Sequence, residues 1–333
     1  MQNNNKLDNN YNIIRFLGKG GFSRIYLVNN LNDLNDSNQY AARIQINRHD
    51  NPVLQPKHFQ HEIEMTSLAS GLNNPYIIHL NRFGVGTLNE SGTIINDVNY
   101  MILEYCSRGD LFKYIYKIKG FKERDAKYIF KKILLGVQAL HRDGYCHRNL
   151  KPQTILLDHN YNPKISCFIF ATKFQQNNQP IMLNNFVGTL NYASPQIMSH
   201  MPYNGEKADI FSLGVILFIL VTGILGFSNS TKQDHYYRYI MLGNINEYWN
   251  KLNNYLANSD INLSDEFKDL YISMVQYNEN DRPNIADILN HHWFDEINYL
   301  DNEELNELEI DVRNEFLSLV NQIDQDNQDM AFH

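Results

Sequence analysis

The sequence predicts an α+β protein with a small strand-rich N-terminal region, a larger helical C-terminal region and an acidic helix at the end. Three observations support this fold class. Residues 11–28 read as strand, glycine turn and strand. Residues 123–143 place apolar side chains at helical spacing, and residues 210–227 form an uncharged apolar stretch. A chain of 333 residues is long enough for one or two domains with a substantial core.

The net charge of −8 is concentrated near the end of the sequence. Residues 295–333 hold 12 acidic residues against Arg313 alone, so residues 1–294 carry a small positive excess. That excess is not gathered into the basic face typical of nucleic-acid-binding proteins. We therefore expect no nucleic-acid partner.

The uncharged stretch 210–227 could at first be taken for a membrane span, because its 18 residues reach the lower length limit. It contains three glycines and lacks basic flanks, so a buried core helix and no membrane contact are predicted. Cys106, Cys146 and Cys167 have no metal-ligand spacing and cannot form a disulfide framework. They are typical of a reducing, cytoplasmic compartment.

Polar and apolar stretches divide the first hundred residues. A turn with Gly18, Gly20 and Gly21 separates the two predicted strands, although such a pattern alone is often only a hairpin turn. The Asn-rich stretches 2–5, 29–38 and 88–99 are expected to be polar loops or tails. Residues 58–72 are predicted to form a helix and residues 75–80 a strand.

Residues 145–157 carry the most specific motif, with His147, Arg148, Leu150 and Lys151 at fixed positions. This stretch resembles the catalytic loop of eukaryotic protein kinases, and further motifs follow in that family's order between residues 11 and 294. The resemblance implies a bilobal kinase fold. It divides the chain into a polar tail at residues 1–10, an N-lobe at residues 11–103, a C-lobe at residues 104–294 and an acidic amphipathic extension at residues 295–333.

The resemblance also implies a nucleotide site, with Arg43 in place of the phosphate-gripping lysine and Glu62 as its helix partner. Arg43 could equally form a purely structural pair, and Glu64 competes with Glu62 for the helix position. Asp110 stands at the ribose-binding position, where it could also cap a helix. The other implied nucleotide-binding residues lie in the glycine loop, the adenine slot and the hinge: Gly18, Gly20, Gly21, Ile25, Ala41, Leu156, Glu104 and Cys106.

Several residues that carry chemistry in protein kinases are changed in this sequence. Asn149 replaces the catalytic aspartate, and Thr154 and Cys167 replace the two metal ligands, whereas Lys151 is kept. Losing a general base typically costs about 10²–10⁴ in rate. A thiol is a poor ligand for Mg²⁺, which prefers hard oxygen donors. No magnesium is therefore expected to bind.

Three functional hypotheses follow from these substitutions. The favoured one is a pseudokinase that acts as a binding, scaffold or allosteric module for an unidentified protein partner and binds ATP weakly without metal. A residually active serine/threonine kinase is the main alternative, and another nucleotide-dependent transfer reaction is the third. Asp143 and Asp158 flank the loop, but we do not expect either carboxylate to replace the missing one.

The acidic extension carries an apolar stripe with an average spacing of 3.6 residues, typical of a straight helix packed on a globular surface. That surface could belong to a partner or to this chain. Residues 113–132, with eight basic and two acidic side chains, offer an intramolecular site for it. The stripe consists of Leu305, Leu308, Val312, Phe316, Leu319 and Ile323.

Overall fold

The computed structural model describes residues 5–19, 23–32, 38–45, 56–177, 179–257 and 261–331. The chain divides into two compact units, the first made of residues 1–107 with 166–169 and the second of residues 108–165 with 170–333. Strands dominate the first unit and helices the second. The predicted α+β class is therefore confirmed.

The first unit is a closed antiparallel barrel with one helix. Its strands are hydrogen-bonded in the order β1-β2-β3-β4-β6-β5, and β1 pairs with both β2 and β5. Alternate side chains of these strands point inward and form an aromatic and aliphatic core around Tyr26 and Tyr100. The elements are β1 Lys6–Leu7, β2 Tyr11–Lys19, β3 Ser23–Asn30, β4 Gln39–Gln45, α1 Pro56–Gly71, β5 Leu80–Glu90 and β6 Thr93–Glu104.

Strand β1 lies in the stretch that the sequence groups with a polar tail. Leu7 is fully buried in the barrel core, and Tyr100 donates a hydrogen bond to the Asp8 carboxylate at 2.9 Å. Burial, followed by this hydrogen bond, raises the pKa of Tyr100 to about 12. Burial of Leu7 thus accompanies the pairing of this short segment with β2 and β5. Residues 6 and 7 belong to the barrel and not to a polar tail.

Two further expectations for this unit were wrong. Residues 88–99 form the turn end of the β5–β6 hairpin, in which Leu88 and Val98 point into the barrel core. Residues 75–80 are turn and extended chain, and only Leu80 begins a strand. The apolar side chains Ile77 and Ile78 are buried there, and the backbone of Ile77 forms an isolated β-bridge.

The second unit consists mainly of helices with short strand pairs between them. Its elements are β7 Gly109–Asp110, α2 Leu111–Ile118, α3 Glu123–Arg142, β8 Tyr145–Cys146, β9 Ile155–Leu157, β10 Pro163–Ile165, β11 Thr172–Lys173, β12 Gln175–Gln176, β13 Gln179–Pro180, β14 Met182–Leu183, α4 Pro195–Met198, β15 Tyr203–Asn204, α5 Gly205–Thr222, α6 Tyr237–Met241, α7 Ile245–Leu256, α8 Asp265–Met274, α9 Ile285–Leu289, α10 Asp295–Asn298 and α11 Asn302–Ala331.

Helix α5 is the buried core helix that the uncharged stretch predicts. Nearly every residue from Ala208 to Thr222 is buried, Asn204 caps its start, and Gly223 ends it in the left-handed conformation with φ +71°. The Cβ atom of any other residue at Gly223 would overlap the backbone of Lys119. Across the described part of the chain, no helix is long and apolar enough to span a membrane.

Helix α11 packs its apolar stripe on α2 and α3 of its own unit. Leu308, Val312, Phe316 and Leu319 are buried, whereas Leu317 on the other face is 38% exposed. The Phe316 ring fills an aromatic pocket, with its centroid 4.9–5.2 Å from those of three neighbouring rings. These rings belong to Tyr114, Phe121 and Tyr161. The side chain of Ile323 lies outside the described residues.

Charged contacts border this apolar seam. The Arg124 guanidinium lies 3.6 Å from the Asp311 carboxylate, and the Lys132 ammonium lies 3.9 Å from that of Glu309. These pairs are partly exposed, so each contributes about 0–1 kcal/mol. Apolar burial therefore provides most of the stabilisation, and the charges orient the helix.

Candidate active site

Arg43 and Glu62 form a buried ion pair in the first unit. Strand β4 turns Ala42 and Ile44 into the barrel core and Arg43 toward α1, where its Nη1 lies 2.5 Å from Oε1 of Glu62. Glu62 is 1% exposed, whereas Glu64 faces solvent. The open choice between the two glutamates is thereby resolved in favour of Glu62.

Two more side chains contact the same guanidinium: Cys167, and Ser23, which stands at the third glycine position of the glycine loop that the sequence resembles. Arg43 donates from Nε to Oγ of Ser23 at 2.9 Å, and it also hydrogen-bonds the Cys167 side chain. Burial alone would lower the pKa of Arg43, but Glu62 and then Cys167 raise it above its ordinary value. Burial in turn raises the pKa of Glu62, an effect that Arg43 opposes. The residues that replace the third glycine, the lysine and the metal-binding aspartate of protein kinases are thus linked through the Arg43 guanidinium.

Cys167 has a strained backbone. Its φ of +69° is in the left-handed region, which costs a residue with a Cβ atom about 1–2 kcal/mol. Such a conformation persists only where surrounding contacts hold it. The hydrogen bond with Arg43 is one such contact.

The other predicted nucleotide residues of the first unit lie on the barrel strands and the segment that follows. Gly18 pairs with Ile25 across β2 and β3, and Ala41 pairs with Leu103 across β4 and β6. The Glu104 carboxylate accepts a hydrogen bond from the backbone N–H of His79 at 3.2 Å. Cys106 is buried, and Gly20 and Gly21 lie outside the described residues.

Asp110 and Leu156 lie together in the second unit, because β7 and β9 pair with these residues opposite each other. Asp110 also caps α2, since its Oδ1 accepts a hydrogen bond from the backbone N–H of Lys113 at 3.1 Å. The capping role predicted for Asp110 is therefore present in the structure.

Asp209 on α5 holds the loop that carries Asn149. Its buried carboxylate accepts hydrogen bonds from the backbone N–H groups of His147 at 2.7 Å and Arg148 at 2.8 Å. Nε2 of His141 lies 2.9 Å from the same group. With the Asn149 N–H donating to Nδ1 of His147 at 3.2 Å, the loop backbone is fixed from both sides.

The side chains at the catalytic positions form a closed network. Thr189 donates to Oδ1 of Asn149 at 3.0 Å and accepts from the Lys151 ammonium at 2.9 Å. The Thr154 hydroxyl accepts from the Lys151 N–H at 3.2 Å and lies 3.1 Å from the Asn149 carbonyl. Sequence reasoning missed Thr189, which lies 40 positions from Asn149 and is brought there only by the fold.

The two aspartates that flank the loop have other surroundings in the structure. Asp158 accepts hydrogen bonds from the backbone N–H groups of Asn160 at 2.8 Å and Asn162 at 2.9 Å, so it closes the turn between β9 and β10. Asp143 ends helix α3 and is exposed. Both carboxylates are therefore used or placed away from the loop.

Arg148 anchors the segment that follows residue 170. Its guanidinium donates to the Phe170 carbonyl at 2.7 Å and to the Tyr203 hydroxyl at 3.2 Å, and Tyr203 donates to the Asn185 carbonyl at 3.1 Å. Gly188 has φ +98°, and a Cβ atom there would lie 2.6 Å from the Arg148 carbonyl. These hydrogen bonds and the close approach at Gly188 hold the segment in place. Tyr203 carried no sequence signal for this role.

Gln196 stands where the kinase motif that the sequence resembles ends in a glutamate, and it satisfies two neighbouring groups without a charge. Its Oε1 accepts from the buried Arg282 guanidinium at 2.8 Å, and its amide donates to the Tyr277 carbonyl at 2.6 Å. Burial lowers the pKa of Arg282 to about 10. A glutamate would pair with Arg282 but would turn an oxygen toward the Tyr277 carbonyl.

Ser194, just before Gln196, gives a testable stability prediction. Its fully buried Oγ has no hydrogen-bond partner among the described residues, and an unsatisfied buried hydroxyl costs about 1–3 kcal/mol. Ser194→Ala should therefore raise the free energy of unfolding by about 1 kcal/mol in urea titrations. Ser212→Ala is the matched control, because that buried hydroxyl donates at 2.8 Å to the Tyr192 carbonyl and its loss should destabilise. Destabilisation by Ser194→Ala would contradict the prediction.

Comparison with known proteins accords with this geometry. Residues 11–294 match the profile described as protein kinase domain. A carbon catabolite-derepressing protein kinase of Secale cereale is 28% identical over 285 residues, which are 86% of this chain and 51% of that protein. The NUAK family SNF1-like kinase 2 of Homo sapiens is 38% identical over 170 residues, 51% of this chain and 25% of that protein.

A third relative is the serine/threonine-protein kinase SIK3 homolog of Danio rerio, 31% identical over 224 residues, which are 67% of this chain and 17% of that protein. The chain thus spans about half or less of the length of these relatives. The family profile covers most of this chain, and the loop held by Asp209 has the motif order of that family. The chain belongs to the protein kinase domain family.

Proposed function

We propose that this chain is a pseudokinase, a kinase-fold module that acts through protein contacts and does not transfer phosphate at a useful rate. The contact of Arg43 with Ser23, Glu62 and Cys167 carries this proposal. In active kinases the lysine and the aspartate at two of these positions serve the phosphates and the metal. Here the residues at those positions bind each other.

The catalytic loop supports the same proposal. Asn149 Oδ1 accepts the Thr189 hydroxyl proton, and a neutral amide cannot take a proton from a substrate hydroxyl as a carboxylate does. Asp209 and Lys151 still build the loop around it. The loop therefore keeps its structural role without a general base.

The donor set does not fit Mg²⁺. The metal requires near-octahedral oxygen ligands, and the two family positions offer a thiol at Cys167 and a hydroxyl at Thr154 that is bonded to backbone groups. No group of three or more His, Cys, Asp or Glu side chains suited to a metal occurs within the residues that the structure describes. We propose that any nucleotide binds weakly and without metal.

A residually active serine/threonine kinase remains the second candidate. The contact of Lys151 with Thr189, the support from Asp209, and relatives whose names include a serine/threonine-protein kinase favour it. The three cysteines are not joined in disulfides, which is in keeping with a cytoplasmic protein. Its binding partner would be another protein.

The nucleotide prediction separates the two candidates. Thermal unfolding should shift little with ATP, and the shift should be the same with and without Mg²⁺, because no oxygen ligand set is available for the metal. A site filled at 100-fold over its Kd would add about 2.7 kcal/mol. Mg²⁺ alone is the control for non-specific cation effects. A large shift that requires Mg²⁺ would contradict the metal-free proposal.

Radiolabel transfer from ATP to a generic protein acceptor tests the absence of catalysis. The wild type and Lys151→Ala should give equal background signals. Transfer by the wild type that Lys151→Ala abolishes would establish the second candidate. Circular dichroism of the variant verifies that its fold is kept.

A further inference from the structure

The longest stretch of the sequence without an aspartate, glutamate, lysine or arginine is residues 174–205. Because 20% of the chain is charged, a stretch of this length would on average hold about six such residues. It includes β12 to β15 and α4, and unlike the uncharged helix α5 it is only partly buried. An uncharged segment that reaches the surface calls for a physical reason.

Three large apolar side chains of this stretch are about half exposed. The exposed fraction is 52% for Met182, 46% for Phe186 and 50% for Met201. Single apolar residues on a surface are ordinary, whereas several together mark a surface that contacts another molecule. Together with His200, these residues are called the apolar patch below.

Strand pairing brings the residues of the apolar patch together. Met182 on β14 lies opposite Asn204 on β15 in an antiparallel register. The same register continued beyond the strands places Phe186 opposite His200, and their rings are stacked with centroids 4.8 Å apart. Met201 follows His200 directly in the chain. The patch is therefore one surface and not a set of scattered side chains.

The opposite face of the same two strands is fixed in the core of the second unit. Leu183 and Tyr203, which lie opposite each other, are buried in one apolar cluster. The Tyr203 hydroxyl donates to the Asn185 carbonyl at 3.1 Å and accepts from Arg148 at 3.2 Å. A surface held in this way loses little conformational entropy when it binds.

The distribution of charge favours a second copy of this chain as the partner. In a dimer with two-fold symmetry the same patch of both copies meets itself, so a charge near the axis faces its own like charge. Two like charges 4 Å apart in water repel by about 1 kcal/mol. The net charge of −8 is carried entirely outside residues 174–205, so the apolar patch can meet a copy of itself without this repulsion.

We propose that the chain forms a symmetric dimer in which the apolar patch of each copy packs on that of the other. This inference rests on the proposed action through protein contacts and names a second copy as the partner. Methionine and phenylalanine are enriched in protein interfaces, and the flexible methionine side chain fills gaps between surfaces. Removal of both patches from water drives the association.

Sedimentation equilibrium of the 333-residue chain measures the dimer directly. Between about 1 and 100 µM the average mass should rise from 39.0 kDa toward twice that value. The association should be no weaker in about 0.5 M salt than in about 0.05 M salt, because salt screens charges and not apolar contacts.

Phe186→Glu and Met201→Glu each place a like charge in both halves of the interface, so each should raise the Kd of the dimer about tenfold or more. Tyr116→Glu is the matched control, because it adds the same charge at a side chain that is 76% exposed on α2, outside the patch. Its Kd should equal that of the wild type. Circular dichroism and thermal unfolding verify that all three variants keep the fold.

Three results would overturn the dimer. Monomers throughout the concentration range would leave the apolar patch to a different protein. A dimer that both patch variants retain, or that Tyr116→Glu weakens equally, would use another surface, and a dimer that dissociates in high salt would be held by charges. Each of these results leaves the pseudokinase proposal standing, since the ATP and radiolabel measurements test it separately.

Discussion

Arg43→Ala is expected to lower the free energy of unfolding by about 3–5 kcal/mol, the usual cost of removing one partner from a buried ion pair. Glu62 would be left 1% exposed without its cation, and Ser23 would lose its donor. Urea unfolding followed by circular dichroism measures this change. The large value follows from desolvation, because a carboxylate that has lost its partner cannot recover its contacts with water.

A double variant distinguishes the structural role of Arg43 from a nucleotide contact. Arg43→Met combined with Glu62→Met should recover most of the stability, since apolar side chains of similar volume often replace a buried pair without loss. A single variant that stays within about 1 kcal/mol of the wild type but abolishes an ATP-induced shift would show that Arg43 serves the nucleotide instead.

Phe316→Ala is expected to have an effect of similar size on the docking of α11. Truncating a fully buried phenylalanine costs about 3–5 kcal/mol, and this ring contacts three aromatic neighbours. Hydrogen-exchange protection of α11 should therefore fall by about 10²–10⁴, or to the limit set by its docking free energy.

Leu317→Ala provides the matched control for this prediction. Leu317 is the next residue, is 38% exposed and lies on the other face of the helix. Its truncation should therefore change the free energy of α11 opening, measured by hydrogen exchange, by less than about 0.5 kcal/mol. Equal effects of the two substitutions would mean that α11 is not held by its apolar stripe. Circular dichroism of both variants monitors any loss of the helix itself.

Local periodicity made the long helices predictable. The apolar spacing over 123–143 and the uncharged stretch 210–227 correspond to α3 and α5, and the 3.6-residue stripe corresponds to the buried face of α11. In these elements the pattern and the tertiary packing agree, because one face of each helix meets a large apolar surface.

Amino-acid composition gave a wrong prediction for the part of the β5–β6 hairpin that has one solvent-exposed face. Residues 88–99 are rich in asparagine, yet Leu88 and Val98 direct alternate side chains into the barrel. These two inward residues are consistent with the register in which β5 pairs with β6. A count of polar residues cannot detect this alternation.

The site could be predicted only in part, because its decisive contacts join residues distant in sequence. The positions of Arg43, Cys167 and Asn149 followed from motif order, but the bonds of Arg43 to Ser23 and Cys167 span 20 and 124 positions. No local sequence pattern specifies these contacts, because they form only when the chain has folded.

Strand β1 has a consequence for self-association. Because it pairs with both β2 and β5, these two strands present no unpaired backbone to a neighbouring molecule. The family match begins only at residue 11, after β1. A chain shortened to that match would expose two sheet edges, each a template for strand addition and aggregation. Two residues outside the family boundary thus protect the barrel from joining copies of itself.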